Sequence, residues 1–214
     1  MADAKEWVLL FRELSDEWCK HYTSSIEEFY KHLFESTGKG IIYVGNYTLQ
    51  RVAKGSYGSV WRCQHIEFEN KKFAIKAEEQ PSREPRYRCG EANVSKELQK
   101  KCHVIEVECI TSYEEDYMMK NIYVMRWMDG SVRDLMKRKD LHPVPLLEDV
   151  MKQIKTKLSC FFEQGRPYLD LHPGQIMYTE ESGTVDVWIV DLGSMIEENN
   201  ENEPSKKKYA TSYP

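Results

Sequence analysis

The segment Ala53-Lys54-Gly55-Ser56-Tyr57-Gly58-Ser59-Val60, followed by Phe73-Ala74-Ile75-Lys76, decides how this chain is read. A β-rich run leads into two glycines three positions apart, then a valine, then a second strand ending in a single lysine. Glycine has no Cβ, so the backbone at Gly55 and Gly58 can come close to an anion. Successive backbone N–H groups and one fixed ammonium, that of Lys76, then suffice to hold a phosphate. Gly-x-x-Gly between strands also serves as an ordinary hairpin. Against the hairpin stands the order of the residues further along the chain: Glu91, Asp170, then Asp191-Leu192-Gly193.

A chain of 214 residues fits one large domain or two small lobes, and 41% hydrophobic residues supply a core. The 30 basic and 35 acidic residues are mixed along the chain and leave a net charge of −5. General affinity for nucleic acid or a membrane surface needs a basic excess, so neither is expected as a partner. The N-terminus lacks an apolar signal core, and no run reaches the roughly 18 apolar residues of a membrane span. Six cysteines, Cys19, Cys63, Cys89, Cys102, Cys109 and Cys160, show no pair at metal-ligand spacing. They read as free thiols in a reducing compartment, cytoplasmic or nuclear, a host cell's included.

Trp7, Leu10, Phe11, Leu14 and Trp18 recur at helical spacing and predict a first amphipathic helix. Ser25-Ile26-Glu27-Glu28 reads as a capping box for a second, whose face is Ile26, Phe29, Tyr30, Leu33 and Phe34, ended by Gly38 and Gly40. Two short helices cannot bury these aromatics alone. They pack on the domain behind them or on a partner, and the first is preferred because aromatic helical stripes are mostly core.

From residue 41 the period changes to two. Strands are expected over 41–44, 47–53, 59–65, 72–78, 104–111 and 121–128, with a helix over 91–101 and a solvated turn at Glu114-Glu115-Asp116. Ser131-Val132-Arg133-Asp134 can cap a short helix, a longer one runs from 146 to about 164, and a small hairpin joins 176–179 to 185–190. The implied class is α+β and bilobal. A helical extension (1–40) precedes a five-stranded antiparallel lobe with one helix (41–128), then an abbreviated helical lobe (129–195) and a polar, flexible tail (196–214). A connector near 125–130 leaves a cleft between lobes, a favoured ligand site.

The densest chemistry lies in Tyr168-Leu169-Asp170-Leu171-His172-Pro173-Gly174-Gln175-Ile176 and in Asp191-Leu192-Gly193. Asp170 and Asp191 stand at the two ends of one loop-plus-hairpin unit and can face one cleft. One can orient a hydroxyl nucleophile while the other holds a divalent cation through hard oxygens. Loop aspartates also cap turns, with no chemistry implied.

Taken in order, Gly55-Ser56-Tyr57-Gly58-Ser59-Val60, Ala74-Ile75-Lys76, Glu91, Asp170 to Gln175 and Asp191-Leu192-Gly193 resemble the eukaryotic protein kinase signature. Ala74-Ile75-Lys76-Ala77-Glu78, Glu91-Ala92-Asn93-Val94 and Asp129-Gly130-Ser131-Val132-Arg133-Asp134-Leu135 look most like the casein kinase one group, with its vaccinia-related and tau-tubulin relatives. The resemblance implies that Gly55, Ser56, Tyr57, Gly58 and Val60 cover ATP, with Ala74 beside them. It implies that Lys76 pairs with phosphate oxygens and is held by Glu91. Met125 would back the adenine pocket, with Arg126, Trp127 and Met128 as a hinge. Asp170 would orient the substrate hydroxyl, and Asp191 and Gln175 would hold Mg2+.

The departures count as well. Ala53 replaces the first loop glycine, and Tyr168 and Leu169 stand where the family has histidine and arginine. Without that arginine, control by a phosphate on the activation segment is not expected. His172 replaces a catalytic lysine and is mostly uncharged near neutral pH, and Gln175 replaces asparagine. The chain stops soon after Gly193, a layout similar to minimal kinase-like proteins of viruses and bacterial effectors. Two functions are compatible with this pattern. One is a minimal kinase transferring phosphate to serine or threonine of a protein substrate. The other is a pseudokinase that binds or imitates a partner kinase.

Overall fold

Apolar and polar residues alternate from residue 41 onward because one sheet must serve two different surfaces. The computed structural model describes residues 4–56, 58–81, 87–138, 143–168 and 171–195. Strands β1 (Ile41–Val44), β2 (Tyr47–Gly55), β3 (Gly58–His65), β4 (Lys72–Gln80), β5 (Val107–Glu115) and β6 (Met118–Arg126) form an antiparallel sheet in the order β1-β2-β3-β4-β6-β5. All six segments predicted as strands join this one sheet, so the lobe is six-stranded rather than five-stranded. Ile41–Val44 pairs with Tyr47–Gln50 through a tight turn and becomes the sheet's edge.

The N-terminal helices α1 (Ala4–Tyr22) and α2 (Ile26–Glu35) cover one face of this sheet. Trp7, Leu10, Phe11, Leu14, Trp18, Phe29 and Leu33 share a core with Leu49, Trp61, Phe73, Ile75, Ile122 and Val124. The aromatic stripe is thus buried within the chain. Ser25 caps α2 as a capping box. At its other end the Leu33 carbonyl accepts from the Ser59 hydroxyl (2.6 Å) and the Trp61 indole N–H (3.0 Å), which satisfies a helix-end group and fixes α2 over β3.

The opposite face carries Ala74, Tyr123 and Met125, which join a second core with helix α3 (Gly90–Gln99) and the segment leading into β5. Beyond the connector come β7 (Gly130–Ser131), α4 (Val132–Leu135), α5 (Pro143–Glu163), β8 (Ile176–Glu181), β9 (Thr184–Ile189) and a 3-10 turn at Leu192–Met195. Strands β7, β8 and β9 make a small sheet backed by α4 and α5. Helix α5 starts before the expected 146 because a first turn has no use for the N–H that proline lacks. The β5–β6 hairpin reaches Glu115, further than expected, and closes on Asp116 and Tyr117, both at positive φ (49° and 66°). The tail expected at 196–214 lies outside the described residues.

The expectation of six free thiols does not hold. Cys89 is bonded to Cys109 and Cys102 to Cys160, leaving Cys19 and Cys63 free. Pairing partners 20 and 58 residues apart cannot be chosen from spacing alone. Among the described residues no helix is long and apolar enough to cross a membrane.

Lys157, on α5, is buried with its ammonium donating to the His103 carbonyl (2.7 Å) and lying over the Trp188 ring. Burial pulls its pKa down to about 8, against a smaller opposing effect of Asp186. The unfolded chain holds this proton up to the ordinary 10.5, so between about pH 8 and 10.5 the unfolded state binds more protons and stability rises with pH. Below pH 8 the penalty is constant. Urea unfolding at pH 7, 8, 9 and 10 should show this rise in wild type and a flatter profile in Lys157→Met. Removing the ring of Phe29, fully buried, should cost about 3–5 kcal/mol in the same assay. Leu9→Ala, at 55% exposure, should stay within about 0.5 kcal/mol.

Candidate functional site

Side chains two apart on a strand share a face, so the register that buries Phe73, Ile75 and Ala77 under α1 and α2 turns Ala74, Lys76 and Glu78 the other way. Val60 lies opposite Lys76 across β3 and β4, and Ala74 opposite Met125 across β4 and β6. Val60, Ala74, Lys76 and Met125 therefore belong to one face. Trp127 and Met128 come next, in the connector. Met128 is buried in the second core, and the Arg62 guanidinium lies over the Trp127 ring at 5.2 Å.

Lys76 is where the distant pieces meet. Its Nζ is 2.6 Å from Glu91 Oε2, 2.8 Å from Asp191 Oδ1 and 3.1 Å from Glu78 Oε1. Helix α3 supplies Glu91 from its first turn, and the helix start is anchored by the Cys89 disulfide and by the Cys89 N–H donating to Asn121 Oδ1 (3.1 Å). The other Glu91 oxygen accepts from the Leu192 N–H (3.1 Å). One carboxylate thus links the ammonium to the backbone just after Asp191.

Asp191 sits at φ 64°, a left-handed conformation that costs a non-glycine residue about 1–3 kcal/mol and persists only where neighbours impose it. Here the Leu192 N–H is tied to Glu91, and the Tyr168 hydroxyl donates toward the carbonyls of Val190 (2.8 Å) and Asp191 (3.3 Å). The strained backbone aims the Asp191 carboxylate at Lys76.

Burial acts against the charge of Lys76, but Glu91, Glu78 and Asp191 outweigh it and hold the ammonium's pKa well above the usual lysine value. Burial also opposes ionisation of Asp191, yet Lys76, Gln175 and His172 prevail and keep its carboxyl below the ordinary range. Asp191 is an anion, and 45% of its side chain remains exposed. A hard, half-open carboxylate suits Mg2+, which keeps water and phosphate ligands and takes only one or two from protein. The Gln175 amide NH2 donates to Asp191 Oδ2 (3.4 Å), so a hydrogen-bond donor and not an oxygen ligand of Gln175 faces this carboxylate, and Asp191 supplies the oxygens that suit the ion.

The two glycines of the turn do different work. A Cβ on Gly58 would lie 2.1 Å from the Ala77 carbonyl oxygen, so this glycine is required by the close approach of β3 to β4. Gly55 has open space where a Cβ would be, and Gly55 and Ser56 are exposed at the end of β2. Tyr57 and Asp170 lie outside the described residues. His172 is exposed, and its Nδ1 accepts from the Gly174 N–H (3.1 Å), turning that edge of the ring onto its own loop.

Sequence reasoning left out two contributors. Glu78 enters the sequence reading only as the last residue of a stretch quoted for its resemblance, with no role assigned, and Tyr168 counts there only as a departure from a pattern. A separate apolar hollow of about 70 Å³ lies between α4 and α5, bordered by Val132, Leu135, Leu146 and Val150. It is far below the roughly 300–1,000 Å³ of a small-molecule site and offers no phosphate ligand beyond Arg138, which is paired with Glu180.

A family model described as the protein kinase domain matches residues 47–213, starting at the first residue of β2. A search of curated proteins finds no match to the chain. Gly58→Ala should lower the melting temperature by several degrees, since overpacking against backbone costs about 1–3 kcal/mol. Gly55→Ala should leave it within about 1 °C, as a change in open space gives a surface-type effect. Differential scanning fluorimetry of the two variants checks both.

Proposed function

The chain belongs to the protein kinase family, and within it we propose a minimal protein serine/threonine kinase that binds ATP with Mg2+ between its lobes. The observation that carries the reading is Lys76 Nζ at 2.6 Å from Glu91 and 2.8 Å from Asp191, groups 15 and 115 residues away in sequence. A buried ammonium with three donors can present one to a phosphate oxygen while carboxylates hold the rest. Exposed backbone at Gly55 and Ser56 supports a cover over the phosphates, and Val60, Ala74 and Met125 an apolar seat for the base. Asp191 is the residue to hold Mg2+, which when bound would neutralise charge on the phosphate oxygens. The substrate hydroxyl oxygen would form a bond to the γ-phosphorus as the bond to the leaving diphosphate breaks, its proton passing to Asp170.

Within the family, the stretches from Ala74 to Glu78 and from Asp129 to Leu135 support a place near the casein kinase one group. A second reading, a kinase-shaped module that binds a partner protein, draws on His172. Its exposed ring replaces a lysine and is turned onto its own loop by the Gly174 N–H.

The test is transfer of label from γ-labelled ATP with magnesium to generic acidic and basic protein substrates, with Asp191→Ala and Lys76→Met alongside. Wild type should transfer label, and each variant should lose at least about 10²-fold, the effect of removing one electrostatic contact to the transition state. Mg-ATP should raise the melting temperature of wild type but not of Lys76→Met. Nucleotide binding without transfer selects the binding module. No shift in wild type removes the nucleotide site.

A further inference from the structure

Glu78 is a buried carboxylate that has no part in the phosphate-transfer scheme. It is 3% exposed, on the same strand and face as Lys76, with Oε1 at 3.1 Å from the ammonium. The buried Tyr123 hydroxyl lies 3.5 Å from Oε2. A Cβ built on Gly193 would stand 3.5 Å from Oε1, so the carboxylate also rests beside the Asp191-Leu192-Gly193 turn. Oxygens of Glu78, Glu91 and Asp191 lie within 4.8 Å of one another. Three formal negative charges thus surround one positive charge.

The three carboxylates arrive by different routes. Glu91 depends on the seating of α3, and Asp191 on a strained turn whose carboxylate is half open to ligand. Glu78 depends on neither, because strand geometry alone sets its distance from Lys76. Any ligand that draws Asp191 away leaves the ammonium with Glu91 and Glu78. If α3 shifts, Glu78 remains.

We propose that Glu78 is a positioning residue for Lys76: a second, strand-borne carboxylate that keeps the ammonium aimed into the cleft when Asp191 or Glu91 is engaged elsewhere. This deepens the reading of Lys76 as a phosphate ligand and rests on it. Its consequence is redundancy, since either glutamate alone suffices to hold Lys76. Glu78→Gln keeps the size and the Tyr123 contact and removes only the charge.

Two measurements test this. In the first, Mg-ATP dissociation constants and steady-state KM and kcat are compared for wild type, Glu78→Gln, Glu91→Gln and the double variant. Each single change should weaken nucleotide binding by about 10-fold or less, and the double by much more than the product of the singles, as expected of groups sharing one partner. Multiplicative effects would overturn the proposal. In the Glu91→Gln background, Glu78→Asp should bind Mg-ATP more tightly than Glu78→Gln does, and equal binding by the two would speak against the proposal.

The second measurement needs no nucleotide, so it judges Glu78 even if wild type binds none and the kinase reading fails. Glu78→Gln is made in wild type and in Lys76→Met, and melting temperatures are compared. With the ammonium gone, Glu78 is one of three crowded anions. Its removal should then be more favourable than in wild type by about 2–4 °C, a coupling of order 1 kcal/mol. Equal changes in both backgrounds overturn the ion pair on which the proposal stands.

Discussion

A single ammonium group organises this structure. A buried charge is tolerated only when paired and hydrogen-bonded, and Lys76 is paired three times, by groups from β4, α3 and the turn after β9. Satisfying it fixes the separation of α3 from the sheet and the approach of the second lobe to the first. Other cross-links keep the lobes in register: Asp129 accepts from Lys72 (3.2 Å) and from the Glu180 N–H (2.9 Å), while Arg126 pairs with Glu181.

The division of labour between the two faces of the sheet comes from strand alternation. Every second residue of β3, β4 and β6 enters the core beneath α1 and α2, and the intervening ones face α3 and the cleft. Without α1 and α2 the sheet would show water a surface bearing Leu49, Trp61, Phe73 and Ile75. The two helices supply the apolar cover, leaving the other face for charge and ligand. Lys157 is the exception, a cation held in the second lobe against an aromatic ring and one carbonyl, at a net cost to stability.

Much of this was legible in the chain. The change from helical to alternating period at residue 41, the cap at Ser25 and the cap at Ser131 each rest on local rules, while the meeting of Lys76 with Glu91 was what the family resemblance implied. What escaped depends on long-range partners or on backbone conformations that side-chain identity does not announce. The disulfides required knowing which distant cysteines become neighbours. The full length of the β5–β6 hairpin required Asp116 and Tyr117 to adopt positive φ, which glycine would have signalled. Glu78 looked like one more strand residue because its importance lies in what stands two positions before it. Tyr168 looked like a loss, yet its hydroxyl reaches the carbonyls on either side of the strained turn.

The Cys102–Cys160 bond has a mechanical meaning of its own. It joins the segment after α3 to the last turn of α5. A covalent tether there ties the end of α3 to α5, so the two cannot separate even where the packing around them loosens. Closing a loop of 58 residues also removes disordered conformations, worth about 4 kcal/mol in the chain-entropy account.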